Sequence, residues 1–258
     1  MKNIIYLLSA LFLFFTSHAF CQNTHFTTSG VIEFEKTVNM FAIFKKSITK
    51  DNESFAQPAF ENYKKNQPQF KKLTSTLTFA DGKTLFAPGE DDGNRGNFWG
   101  NEAMVSQNNI IFSDLQKKTN IAQKKVFEET FLLKDTARSI KWKINDETRE
   151  IAGFMCRRAN ALILDTVYVV AFYTDKMAVS GGPESFSGLP GMILGVALPH
   201  ENISWFATKV TDMAIEPKAL VPPKKGKPVN NKELKNTLAA AMKDWGDYAQ
   251  TYLKAFYL

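Results

Sequence analysis

Few side chains in this chain of 258 residues have the type and spacing that chemistry requires. Cys156 stands before Arg157-Arg158, and neighbouring cations lower a thiol's pKa towards the reactive thiolate. Its place in an alternating segment instead predicts a buried small apolar residue, with Arg157 on the opposite face. The stretch Gly182-Pro183-Glu184-Ser185-Phe186-Ser187-Gly188 lacks the Gly-x-Ser-x-Gly spacing of a nucleophile elbow. It runs into Leu189-Pro190 where a phosphate-binding loop requires Lys followed by Ser or Thr. His200-Glu201 has no second histidine at metalloprotease spacing, and beyond the N-terminal apolar segment only His25 accompanies it, which excludes histidine-based zinc chemistry. The segment 92–97 departs from a calcium loop at Gly96 and Asn97 and reads as a surface loop. The carboxylates Asp165 and Glu184 cannot be paired in space from sequence. No catalytic residue, metal ligand or cofactor is therefore predicted, and a non-enzymatic role is expected.

The most distinctive stretch is Gly181 to Leu194. Pro190 drives Leu189 towards an extended conformation, while Gly188 and Gly191 permit positive φ or close backbone approach on either side. A rigid loop feeding a strand is expected. Phe186, Leu189 and Met192 are expected to form a fixed apolar lip at the mouth of a cavity, with Phe172 and Trp205 completing the candidate ligand-binding set.

The elements that must position these residues are mostly strands. Val31, Glu33 and Glu35 alternate with Ile32, Phe34 and Lys36 in a first strand expected over residues 30–44. A loop and a short amphipathic helix, interrupted by Pro58 and Pro68, are expected over 45–70. Asp81-Gly82 between the apolar segments 73–79 and 84–86 predicts a tight hairpin. Segments 109–112 and 121–127 predict another. Segments at 131–133, 140–144, 149–154, 156–164 and 167–173 follow with short polar breaks, which describes an antiparallel meander; 191–198 and 203–210 are the last strands. Residues 217–230, rich in Pro and Lys, read as an extended solvated linker ending the sheet, and Asn231 caps a helix over 231–258. Its apolar residues, from Leu234 to Phe256, fall on one face that must be buried, on the sheet or across its open edge.

Residues 1–21 read as an export signal: Met1-Lys2 is followed by an apolar run from Ile4 to Phe15, too short to span a bilayer. Cleavage before Gln22 is favoured over cleavage after Ala19, and lipidation of Cys21 is the alternative, although Phe20 and His18 do not suit it. Residues 22–216 form the antiparallel β domain. No later run is long and apolar enough to cross a membrane as a helix. The formal charge of +6 is spread through polar loops and gives no nucleic-acid surface, whereas 22 phenylalanines suit strands with bulky inward faces.

Gly188-Leu189-Pro190-Gly191-Met192-Ile193 resembles the signature hexapeptide of the GLPGLI family, secreted proteins of Gram-negative bacteria. Trp142-Lys143-Ile144, Glu147 to Phe154 with Cys156, Phe172-Tyr173-Thr174 and Gly182-Pro183 to Phe186 are similar to the segments that lead up to that motif in the family. Similarity extends over about residues 105–212; Met192 replaces the usual Leu, and Phe172 a common Trp. The resemblance brings no established activity. It implies export and a mainly β (α+β) fold, a curved antiparallel sheet or half-barrel similar to periplasmic lipoprotein carriers, with a C-terminal amphipathic helix. The expected function is that of a periplasmic or outer-membrane-associated binding or carrier protein for an apolar ligand or lipidated partner. The alternative is an interaction module docking on an outer-membrane transporter or assembly.

Overall fold

Alternation of apolar and polar side chains organises the chain into ribbons whose inward rows share one core. The computed structural model describes residues 26–89, 103–106 and 109–258. The segment 1–21, read as an export signal, and the loop at 92–97 lie outside the described residues. Twelve strands are seen among the described residues: β1 (Gly30–Asn39), β2 (Phe70–Ala80), β3 (Lys83–Pro88), β4 (Asn109–Asp114), β5 (Thr119–Val126), β6 (Glu129–Thr136), β7 (Lys143–Ile151), β8 (Phe154–Ile163), β9 (Val167–Thr174), β10 (Met192–Leu198), β11 (Ile203–Asp212) and β12 (Lys227–Val229). They form one sheet in the order β12-β6-β5-β4-β3-β2-β1-β11-β10-β9-β8-β7. Each pairing of neighbours is antiparallel except that of β12 with β6.

The order carries a geometric consequence. β6 and β7 lie towards opposite ends of the sheet, yet only residues 137–142 connect them. That link reaches about 25 Å at full extension, so the sheet must curl until its two ends face one another. The result is an open curled sheet, mainly β, with helices at its mouth. The core fills the concave side: Ile32, Phe34 and Val38 of β1 meet Leu77, Phe86, Ile111, Val196 and Leu198 there. The Asp81-Gly82 hairpin forms as its sequence demands, with φ of 51° and 70°.

Several boundaries differ from the sequence reading. β1 stops at Asn39, whose side chain accepts a hydrogen bond from the Ala42 amide (3.2 Å) and caps α1 (Met40–Ser47). The buried pair Met40 and Phe44 sits at i and i+4, a helical step that also satisfies period two, so alternation could not show where the strand ended. Pro58 does not break α2 (Glu53–Asn66); the helix runs through it, with Phe60 and Tyr63 packed on Phe44 at ring distances of 5.2 and 5.5 Å. The segments at 140–144 and 149–154 fall largely in one strand, β7, with its register broken between Ile144 and Thr148; residues 140–142 precede it and Phe154 opens β8. Residues 217–230 do not simply leave the sheet, because Lys227–Val229 add β12 alongside β6, at an edge where Pro228 needs no ladder donor.

The expected C-terminal helix is two helices, α3 (Asn231–Ala241) and α4 (Asp247–Tyr257), separated at Gly246 with φ 55°. Asn230 rather than Asn231 is the cap: its side chain accepts from the Glu233 amide while Glu233 accepts from the Asn230 amide, a reciprocal capping box. The apolar face packs on the sheet, with Leu234, Leu238, Met242, Ala249 and Phe256 forming a satellite core on Val126 and Phe131.

If the inward row of β1 organises the core, Phe34→Ala should lower the unfolding free energy by about 3–5 kcal/mol in urea titration. Glu33→Ala, on the exposed side of the same strand, should change it by about 0.5 kcal/mol or less.

Candidate functional site

Two lysines stand in rows that are otherwise apolar. Lys36 shares the inward row of β1 with Ile32, Phe34 and Val38, and Lys124 shares that of β5 with Ala122 and Val126; they are 3% and 5% exposed. Cross-strand register sets Lys36 beside Trp205 of β11 and Lys124 beside Asn109 of β4. The Lys36 ammonium donates to the carbonyls of Met104 (2.9 Å) and Val105 (3.2 Å) and lies 5.0 Å from the centre of the Trp205 ring. That of Lys124 donates to the carbonyl of Phe256 at the end of α4 (3.0 Å).

Although the lysines belong to strands four places apart in the sheet, both act electrostatically on one carboxylate, Glu184, which is 7% exposed. Its Oε2 accepts from the Asn109 side-chain amide at 2.9 Å. The loop preceding β10 holds it there. Gly191, at φ 143°, allows the backbone to approach Thr174 so closely that a Cβ would lie 2.0 Å from its carbonyl oxygen, and Gly188, at φ 94°, faces the Trp142 indole. Trp142 donates to the Ser187 carbonyl (2.9 Å), Ser180 Oγ to that of Leu189 (2.5 Å), and the Ile193 amide to that of Gly181 (2.8 Å). The rigid loop read from the sequence is thus present, and its product is a fixed buried carboxylate.

α4 ends against this cluster. Three side chains donate to main-chain oxygens at its end: Lys124 to Phe256, Arg138 to Tyr257, and Ser185 to Leu258, the residue after the helix (3.0 Å). On the far side, Lys254 pairs with the buried Glu201 at the β10–β11 turn (2.9 Å). Cations at the end of a helix satisfy carbonyls that have no partner within it and complement its dipole.

The five residues expected to bind ligand are all buried in the main core, and Phe172 lies on the opposite face of the sheet from Trp205. Phe186 meets Trp205 at a ring distance of 6.3 Å, next to Lys36. Leu189 is sealed in the main core beneath the loop rather than standing on an open rim. Met192 packs where Gly181 meets Thr84 and Leu115. Phe172 lies on the other face of the sheet from Trp205: it stacks near Phe206, the next residue along β11, with Arg149 over both rings at 5.9 and 4.8 Å. Cys156 is wholly buried, its thiol pushed up to about 12 by burial, which makes it an inert core residue; Arg157 is exposed on the opposite side. Asp165 is exposed in the β8–β9 turn, away from the buried environment of Glu184. Among the described residues no group of three or more His, Cys, Asp or Glu side chains could hold a metal ion. Lys36, Lys124 and Asn109 were not among the expected site residues, although the parity of both lysines with apolar neighbours marks them in the sequence.

Residues 161–195 match the model of a family described as "Protein of unknown function (Porph_ging)". That segment runs from the end of β8 through the Glu184 loop into β10. No curated protein matches the chain. Among solved structures, two crystal forms of PNGF-II are similar, at 15% and 13% identity and TM-scores of 0.50 and 0.51. Each match covers 81% of this chain and 33% or 32% of PNGF-II, so the chain spans about a third of that protein's length. The likeness is one of fold. An uncharacterized conserved protein from Thermus thermophilus matches at 5% identity and a TM-score of 0.39, over 80% of this chain and 91% of that one.

Burial sets the ionisation of the cluster. Loss of solvation lowers Lys36 and Lys124 from 10.5 to about 8, against the opposing pull of Glu184, and raises Glu184 above the usual carboxylate range. A lysine whose folded pKa lies below its unfolded value penalises the folded state while both states are protonated. The penalty fades as pH rises from the folded to the unfolded pKa. Wild-type protein should therefore gain stability between pH 8 and 10.5 relative to Lys36→Met, by up to about 3 kcal/mol, in urea titrations run across that window. Cys156 should resist a thiol reagent at pH 8 in the native state and react on unfolding.

Proposed function

We propose that this is an exported, non-enzymatic binding protein that holds an apolar ligand or a lipidated partner against the concave face of its curled sheet. The observation that carries this reading is the cover. α4 contributes no strand to the sheet; it rests on a satellite core and on contacts from Lys124, Arg138, Ser185 and Glu201. Such a cover can lift without breaking the ladder, whereas the concave face beneath it is apolar and rich in Phe.

The periplasm, or the periplasmic side of the outer membrane of a Gram-negative bacterium, is the compartment this reading requires. Its support is the segment 1–21 and the resemblance of residues 188–193 to the GLPGLI hexapeptide. No helix among the described residues is long and apolar enough to cross a membrane. Docking through the open edge is the weaker alternative, because β7 presents Lys143, Asp146, Glu147, Arg149 and Glu150, charges of the kind that discourage strand addition.

Protein purified from its native envelope should release an apolar molecule on solvent extraction, show its added mass in native mass spectra, and take up a fluorescent fatty acid with a rise in emission. An empty protein that takes up no probe, together with one dominant cross-linked protein partner in cells, would favour docking instead.

A further inference from the structure

Two buried polar atoms close to Lys36 lack a hydrogen-bond partner among the described residues. Trp205 is 3% exposed, and its indole N–H, which can only donate, has no hydrogen-bond partner among the described residues; Ser75 Oγ, on the inward row of β2, is likewise buried and unpartnered there. Register places both within one rung of Lys36: Trp205 lies directly opposite it, and Ser75 opposite Phe34 on the same face. Among the described residues Glu184 is the one carboxylate that acts on both Lys36 and Lys124. A buried indole N–H without an acceptor is unusual, and one beside a buried ammonium suits an oxygen anion, which accepts from both.

We propose that the Lys36, Trp205 and Lys124 cluster is the head-group subsite of the binding protein inferred above, taking one carboxylate at the end of an apolar chain. The inference rests on that reading and specifies its ligand class. Lys36 supplies charge, the Trp205 indole a hydrogen bond, and Phe186 an apolar flank. Glu184, pinned by Asn109, repels a second negative charge and so selects a monoanion over a dianion such as phosphate. The chain of the ligand takes the space that Phe256 and Leu258 fill in this structure, and binding lifts the end of α4.

The test is calorimetric titration of the whole protein, at pH 7 and fixed salt, with decanoate, decan-1-ol and decyltrimethylammonium, which share a chain length and differ in head group. Decanoate should bind about tenfold or more tightly than decanol, with the cation weakest. Lys36→Met and Trp205→Phe should each shrink the acid-to-alcohol ratio to within about threefold, while Lys209→Met, on an exposed lysine, keeps it. Should Lys36→Met fail to fold by circular dichroism, Trp205→Phe, which retains a ring in the core, carries the test. Saturating decanoate should also speed amide exchange in α4. Equal affinity for acid and alcohol, a ratio unmoved by Trp205→Phe, or unchanged exchange in α4 would overturn the subsite and leave the binding-protein reading standing. Binding of none of the three amphiphiles would overturn that reading itself.

Discussion

An ammonium group taken out of water loses several kcal/mol of solvation unless charge and hydrogen bonds replace it, and Lys36 and Lys124 are both placed in that position by strand alternation. The replacements come from segments far away in sequence: carbonyls at Met104 and Val105, the Glu184 carboxylate from the loop before β10, and the Phe256 carbonyl from α4. None of these belongs to the strand that carries the lysine. The charges therefore tie loop, helix and sheet to one arrangement, since a misplaced loop would leave two cations unbalanced in the core. Apolar residues of similar volume would pack at lower cost in solvation. Their replacement by lysines is the reason to look for function here.

The curl of the sheet is what allows one carboxylate to serve two lysines on strands four places apart. It follows from the short link between β6 and β7, and the same link contributes to the site: Arg138 reaches the Tyr257 carbonyl and Trp142 reaches Ser187. Topology and site are thus one construction. A sheet of this many strands without that connection would twist open, and Glu184 could not lie near both β1 and β5.

Much of the fold was legible because period two is unambiguous where one face is wet: the Asp81-Gly82 hairpin, the meander from β7 to β9, and β10 and β11 follow directly from alternation and turn chemistry. Failures occurred where another constraint gave the same local pattern. Met40 and Phe44 continue the parity of β1 while lying on a helix, and Gly246 divides an apolar face that reads as continuous from Leu234 to Phe256. The site was less legible for a different reason. Apolar bulk near a rigid glycine loop suggested Phe172, Leu189 and Met192, yet bulk is what every core position shares. Lys36 and Lys124 were the informative residues, because a charge in an apolar row needs a partner, and that partner is invisible until the sheet curls. Phe172 was misplaced relative to Trp205 because parity fixes a residue's face only once the register between strands is known, and a shift between Ile193 and Gly195 intervenes.

α4 fits this account as a substitute. Unpaired carbonyls at the end of a helix carry about half a negative charge, and those of Phe256 and Tyr257 lie against Lys124 and Arg138. A half charge spread over a helix end only partly offsets buried cations, whereas a full oxyanion would offset them more completely. The helix compensates by being tethered, since its contacts cost no translational freedom to form. Two acceptors matched in this way, one weaker but intramolecular and one stronger but free, can exchange with a small change in free energy. In the proposed binding protein, a cover that seals an apolar interior and opens it would require that balance. The Trp205 indole marks its asymmetry: in the closed form this donor has no partner among the described residues, so the α4 carbonyls do not meet every demand of the cluster.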